Sequence, residues 1–216
     1  MFRALTWLWI MALPAVATMA LSMTVHQPIV AADHFDPPAR VGTVFGSHPD
    51  PAADIADLYV FHDAANLYIA LNFGGPSDPA TPPFYDRNVL YTINMSNDGN
   101  RTTVEALFEI RFGRDGQFTG VQVTGLPSDG RTVSGPVEVN LQAGNGVVVR
   151  AGLFDDPFFF DQMGLIQTRQ TGNLAFSNQR NPFGNRNATF VVLQIPRGLI
   201  DLGQPLDFWA TSARII

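Results

Sequence analysis

His34, His48 and His62 lie close together in the chain, interleaved with Asp33, Asp36, Asp50, Asp54, Asp57 and Asp63. Imidazole nitrogens with carboxylate oxygens are the donor mix of zinc, manganese and copper sites, and carboxylates with backbone carbonyls suit calcium. Asp33, His34, Asp36, Asp54 and Asp57 are therefore candidate ligands for a divalent metal. No His-Glu-x-x-His or other fixed-spacing motif accompanies them. The same acids, several beside proline, also suit turns that tie an N-terminal arm to the body of the fold. Both readings stand on the sequence.

A second acidic group, Asp155, Asp156 and Asp161, surrounds Phe158, Phe159 and Phe160. Adjacent carboxylates make a poor acid/base pair, because glycosidic chemistry needs two carboxyls on separate elements at a defined spacing. Asp156 before Pro157 reads instead as a helix start, with Gly164 as the stop. The three phenylalanines then plug one end of the fold, or form a ligand patch if they are exposed. Tyr85, in the loop Phe84-Tyr85-Asp86-Arg87, is the candidate exposed aromatic for sugar stacking. Tyr59, Tyr68 and Tyr91 fall at strand-like alternating positions, where packing is the ordinary role, and Trp209 completes the aromatic stock. His62 and Met163 are a conceivable axial pair for haem. No Gly-x-Ser-x-Gly elbow is present, which disfavours an α/β-hydrolase.

These residues sit among short β-branched and aromatic runs separated by turns. The strands expected are Leu58 to Phe61, Leu67 to Phe73, Val89 to Met95, Val104 to Phe112, Phe118 to Thr124, Val137 to Leu141, Val147 to Ala151, Thr189 to Ile195 and Asp207 to Ala213. Such spacing predicts an all-β fold, an antiparallel, jelly-roll-like β-sandwich. One short helical insertion is expected near 156–164, in the strand-poor stretch between Leu153 and Arg186. The turn Asn94-Met95-Ser96-Asn97-Asp98-Gly99-Asn100 holds a single acid, so a plain Asx turn is expected there and not a calcium loop.

The 216 residues carry no cysteine and no lysine; all 13 basic residues are arginine, and the formal charge is −6. Disulfides, thiolate metal sites and lysine Schiff bases are excluded. An acidic chain without a basic stripe is not expected to partner nucleic acid. Met1-Phe2-Arg3, the uncharged run from Ala4 to Met23 and the small residues of Val30-Ala31-Ala32 read as a signal peptide over 1–32. Cleavage after Ala32 would leave one sandwich domain over 33–216, secreted or periplasmic, with no membrane span. A retained anchor is the rival reading.

Asp33-His34-Phe35-Asp36-Pro37-Pro38, followed by Asp54-Ile55-Ala56-Asp57-Leu58-Tyr59-Val60-Phe61, resembles the opening of a bacterial secreted family known as domain of unknown function 4331. Asn88 to Ile93, Ala106 to Phe112, the Asp155-Asp156-Pro157-Phe158-Phe159 element and Gly184 to Pro196 are similar to later parts of that family, in the same order. The family carries no established activity, so the resemblance implies a class and no reaction. The hairpin formed by Asp57 to Phe61 and Asn66 to Ala70 is similar to that of family-nine carbohydrate-binding modules, which implies a sandwich. The functional expectation is a non-catalytic ligand-binding or surface-associated domain, with a glycan or cell-surface ligand. The alternative is a metal-dependent enzyme, a hydrolase, using the N-terminal Asp/His cluster.

Overall fold

In the computed structural model the described residues are 49–100, 102–200 and 203–215. The proposed signal peptide, Asp33, His34, Asp36 and His48 lie outside them. Among the described residues, ten strands form two antiparallel sheets. They are β1 (Ile55–His62), β2 (Asn66–Ser77), β3 (Val89–Ser96), β4 (Ala106–Asp115), β5 (Phe118–Thr124), β6 (Thr132–Pro136), β7 (Leu141–Gly144), β8 (Val147–Asp155), β9 (Asn187–Pro196) and β10 (Asp207–Arg214). Sheet one has the order β1-β2-β9-β8-β7, and sheet two the order β10-β3-β4-β5-β6. The all-β sandwich read from the spacing of strands and turns is the observed fold.

Alternation explains which residues meet between the sheets. Successive strand side chains point to opposite faces. Ile69, Leu71 and Phe73 of β2, Val191, Leu193 and Ile195 of β9, and Val147 and Val149 of β8 point inward from sheet one. Val89, Tyr91 and Ile93 of β3, and Phe108, Ile110 and Phe112 of β4, meet them from sheet two. The outer face of sheet one holds a second apolar cluster, Ala70, Ala188 and Phe190, with Tyr59, Phe154 and Val192 packed against it. The outer face of sheet two is largely polar.

The N-terminal end of the described chain is stitched to sheet two. A short 3-10 turn, Pro51–Ala53, leads into β1. The Tyr91 hydroxyl donates to the Ala52 carbonyl, and Ser212 Oγ donates to the Ala53 carbonyl at 2.6 Å. Beside them Arg214 forks onto Asp50 at 2.6 and 2.7 Å and reaches Asp86 at 3.0 Å.

Several local expectations change. β1 begins three residues earlier than expected, β4 runs from Ala106 to Asp115 in place of Val104 to Phe112, and β8 continues four residues further to Asp155, into the stretch expected to lack strands. Val137 to Asn140 are not strand but the crossing from sheet two to sheet one, and of the expected strand Val137 to Leu141 only Leu141 lies in one, as the first residue of β7. The Val137 amide donates to Thr119 of β5, and the Glu138 amide to Ala151 of β8. Glu138 turns the chain between them with φ of 66°. The separate strands β6 and β7 flank this crossing. β2 also runs on through Gly74, Gly75 and Pro76 to Ser77, its ladder with β9 interrupted between Phe73 and Ser77.

The helical insertion is present but begins later than Asp156. Its helix, α1, is Gln162–Thr171, capped by Asp161 and closed by Gly172 in the left-handed region at φ 73°. Asp156 does not cap it, because its Oδ1 accepts the Phe158 amide two residues on, in an Asx turn. Gly164 lies inside the first turn of the helix rather than at its stop. A Cβ there would meet the Phe176 Cα at 2.8 Å, so the following segment can fold back against the helix only at glycine.

Candidate functional site

The described part of the predicted metal cluster has structural duties. Asp54 follows the 3-10 turn, and its carbonyl accepts the Gly74 amide at 2.9 Å. Asp57 lies on the outer side of β1; its amide donates to Asn72 Oδ1 and its carboxylate accepts the Tyr59 hydroxyl at 3.0 Å. Burial, and then the charge of Asp57, push the Tyr59 phenol well above its ordinary range. No group of three or more His, Asp or Glu suited to a metal occurs among the described residues. At the turn after β3, Asp98 accepts Asn100 N, Ser96 Oγ and Thr103 Oγ1 at 2.7 to 3.0 Å. These bonds, the Asn100 amide foremost, hold its carboxyl below the usual range, and the Asn100 bond makes the turn an Asx turn.

Tyr85 is half-buried. Its ring stacks on Phe112 at 4.7 Å and its hydroxyl donates to Glu138 at 3.2 Å. The phenylalanines of the insertion divide. Phe158 packs edge-on against Phe183 at 4.9 Å and lies beside Phe160 at 6.1 Å, while Phe159 is 51% exposed. Met163, on α1, is also exposed, and it does not line the cleft that holds His62.

The insertion is organised by one carboxylate. Asp161 accepts Gly164 N at 2.9 Å, Ser177 N at 2.7 Å, and Arg180 Nε and Nη2 at 3.0 and 2.8 Å. Burial alone would raise its carboxyl, but the two amides and the guanidinium outweigh that and hold it below its ordinary value. A depressed carboxylate stabilises above its unfolded pKa, and that contribution is lost as pH falls through the folded value. Lowering pH through and below about 4 is therefore expected to release residues 156–186 before the sandwich. Hydrogen exchange across a pH series should show protection of Gly164 and Ser177 falling first; unchanged relative protection would count against this role. Asp161→Asn should reproduce the release at neutral pH.

A cleft with converging polar groups opens where the edges of the two sheets, β1 and β10, approach each other. Its volume is about 300 Å³, at the lower end of small-ligand sites. Val60 of β1, Leu67 of β2, Ile200, Leu206 and Phe208 give it apolar walls; His62 of β1, Arg197 and Gln204 supply polar groups. His62 is the one histidine among the described residues and sits at the rim.

The β1–β2 hairpin positions this rim. Asp63 accepts the amides of Ala65 and Asn66, each at 2.7 Å, and the Tyr68 hydroxyl at 3.0 Å. The Asn66 and Ala65 bonds lower the Asp63 carboxyl, and the bond to Asp63 in turn raises the Tyr68 phenol. Tyr68 stacks on Phe61 at 5.1 Å with 17° between the ring planes. Phe61 is still 56% exposed, and it lines the cleft. The Arg197 amide donates to Ala65 at 2.9 Å, which fixes that residue to the hairpin tip.

Phe61 and His62 belong to the predicted hairpin, but nothing in that stretch marks them as a site. Arg197 and Gln204 arrive from the far end of the chain. Comparison with protein-family models, with curated proteins and with solved structures finds no match.

Proposed function

We propose that this protein is an exported, non-catalytic binding domain whose ligand is a glycan end seated in the cleft at the sheet edges. The observation that carries the reading is the exposed Phe61 ring, held by Tyr68, at the lip of a cleft that offers His62, Arg197 and Gln204. Sugars present apolar ring faces with hydroxyls around the edge. An aromatic ledge beside guanidinium, amide and imidazole groups meets both parts at once. The cleft has room for a single sugar unit or a chain terminus. The leader-like segment over 1–32 supports a secreted or periplasmic location, and no helix among the described residues is long and apolar enough to cross a membrane.

The test is a glycan array followed by titration calorimetry with the saccharides retained. Phe61→Ala is expected to weaken binding by about tenfold or more, as removal of an aromatic anchor does. Its melting temperature should hardly move, because the side chain is largely in solvent. Binding equal to wild type in Phe61→Ala, or no binding to any saccharide, would overturn the reading.

A further inference from the structure

On the outer face of sheet two, alternation sets Gly113 of β4 directly opposite Gly120 of β5. Neither has a side chain, so the face sinks there. A Cβ built on Gly113 would meet nothing within 4 Å. Around this floor stand Arg111, Gln122 of β5 and Ser134 of β6, with Arg87 entering from the loop before β3. The depression measures about 520 Å³. Its floor continues into a neighbouring hollow whose end is Phe118, 78% exposed.

The charge is unusual for this chain. The protein carries −6 overall, yet two arginines share one depression. Both are exposed, and among the described residues neither has a carboxylate within ion-pair distance. The nearby acids are engaged elsewhere: Glu109 accepts Thr124 Oγ1 at 3.3 Å, and Asp86 accepts Arg214 at 3.0 Å. Asp115 does not line the arginine depression; it lines the neighbouring hollow together with Arg114 and its cross-strand partner Phe118. Two like charges facing one hollow repel each other, and an anion between them would relieve that repulsion. Guanidinium forks match carboxylate and sulfate in pairs of parallel hydrogen bonds.

We propose that this depression is a second binding site, for an anionic polysaccharide bearing carboxylate or sulfate groups. Arg87 and Arg111 grip the anionic group, Gln122 and Ser134 meet neighbouring hydroxyls, and Phe118 supports a sugar ring further along. A sparse polyanion fits better than nucleic acid, whose closely spaced phosphates would meet a protein of net negative charge. The site shares no lining residue with the cleft at the sheet edges and does not depend on it.

The experiment is titration of the purified protein at low salt with alginate, dextran sulfate, neutral dextran and a thymidine oligonucleotide. Alginate reads the carboxylate form of the ligand and dextran sulfate the sulfate form. Binding to at least one of them, lost as salt rises, is expected, with none to neutral dextran. Arg87→Ala and Arg111→Ala should each weaken it by on the order of tenfold. Gly113→Leu should fill the floor and abolish binding while leaving the melting temperature unchanged, because the added side chain projects into open space. Phe61→Ala should bind the polyanion as wild type does, which separates this site from the cleft. No binding to either polyanion, equal binding of neutral dextran by Phe61→Ala, stronger binding to the oligonucleotide, or indifference to all three groove substitutions would overturn the proposal.

Discussion

Arg214→Ala is expected to cost about 3–5 kcal/mol of folding stability, the range for removing one partner of a buried charge pair. The Arg214 side chain is only 6% exposed and that of Asp50 5%. Its Nε and Nη2 fork onto the two Asp50 oxygens at 2.6 and 2.7 Å, and Nη2 also meets Asp86 at 3.0 Å. The Asp50 hydrogen bond outweighs burial and raises the guanidinium pKa, so Arg214 stays charged at every working pH. Alanine would leave the Asp50 carboxylate in a dry site without its guanidinium. The damage should spread, because Asp50 starts the 3-10 turn whose carbonyls accept Tyr91 and Ser212.

Urea denaturation gives the check. The midpoint should fall sharply in Arg214→Ala. It should fall less in Arg214→Lys, which keeps the charge but not the fork. Removing the pair together, as Arg214→Met with Asp50→Leu, should cost less than Arg214→Ala alone, since the more deeply buried Asp50 charge is then not stranded and only the partly exposed Asp86 loses its guanidinium. A loss below 1 kcal/mol in Arg214→Ala would mean that water reaches the pair freely in solution.

How far the sequence speaks can be seen residue by residue. Phe118–Thr124 is a strand at its expected limits, and Val89–Ser96, Asn187–Pro196 and Asp207–Arg214 differ from expectation by one or two residues. Period-2 alternation of apolar side chains is a local signal, and here tertiary packing agrees with it. Val137 to Leu141 alternates equally well, but Val137 to Asn140 lie where the chain changes sheets and only Leu141 enters a strand; the backbone turn at Glu138 has no apolar signature. The helix start shows the same limit. Asp156 and Asp161 both look like caps, and what decides between them is Ser177 and Arg180, distant in sequence but in contact with Asp161. Binding surfaces are the hardest to read. Arg87, Arg111 and Gln122 become neighbours only once strand register is known, and Gly113 opposite Gly120 is a property of pairing, not of either segment.

Phe73→Ala is the second substitution expected to cost about 3–5 kcal/mol, as large-to-small changes at buried aromatics do. Phe73 is fully buried on β2 of sheet one. It stacks on Tyr91 of β3 at 4.2 Å and lies tilted against Phe112 of β4 at 5.8 Å, both from sheet two. Phe112 in turn carries Tyr85 at 4.7 Å. The ring is thus the one sheet-one member of an aromatic stack that clamps the layers. Alanine would leave a void between them, and rigid strands on both sides limit how far the walls can close. Phe73→Leu should cost only about 1–2 kcal/mol, since it keeps most of the volume and loses the ring contacts. In urea melts both variants should shift the midpoint with little change in slope, because the surface exposed on unfolding is nearly the same. Because Phe112 lies between Arg111 and Gly113 in β4, a loosened clamp should also blur the groove on the outer face. Weaker polyanion binding by Phe73→Ala, at a temperature where it is still folded, with Phe73→Leu close to wild type, would tie core packing to that surface. A loss under 1 kcal/mol in Phe73→Ala would show instead that the two sheets do not depend on this stack for their packing.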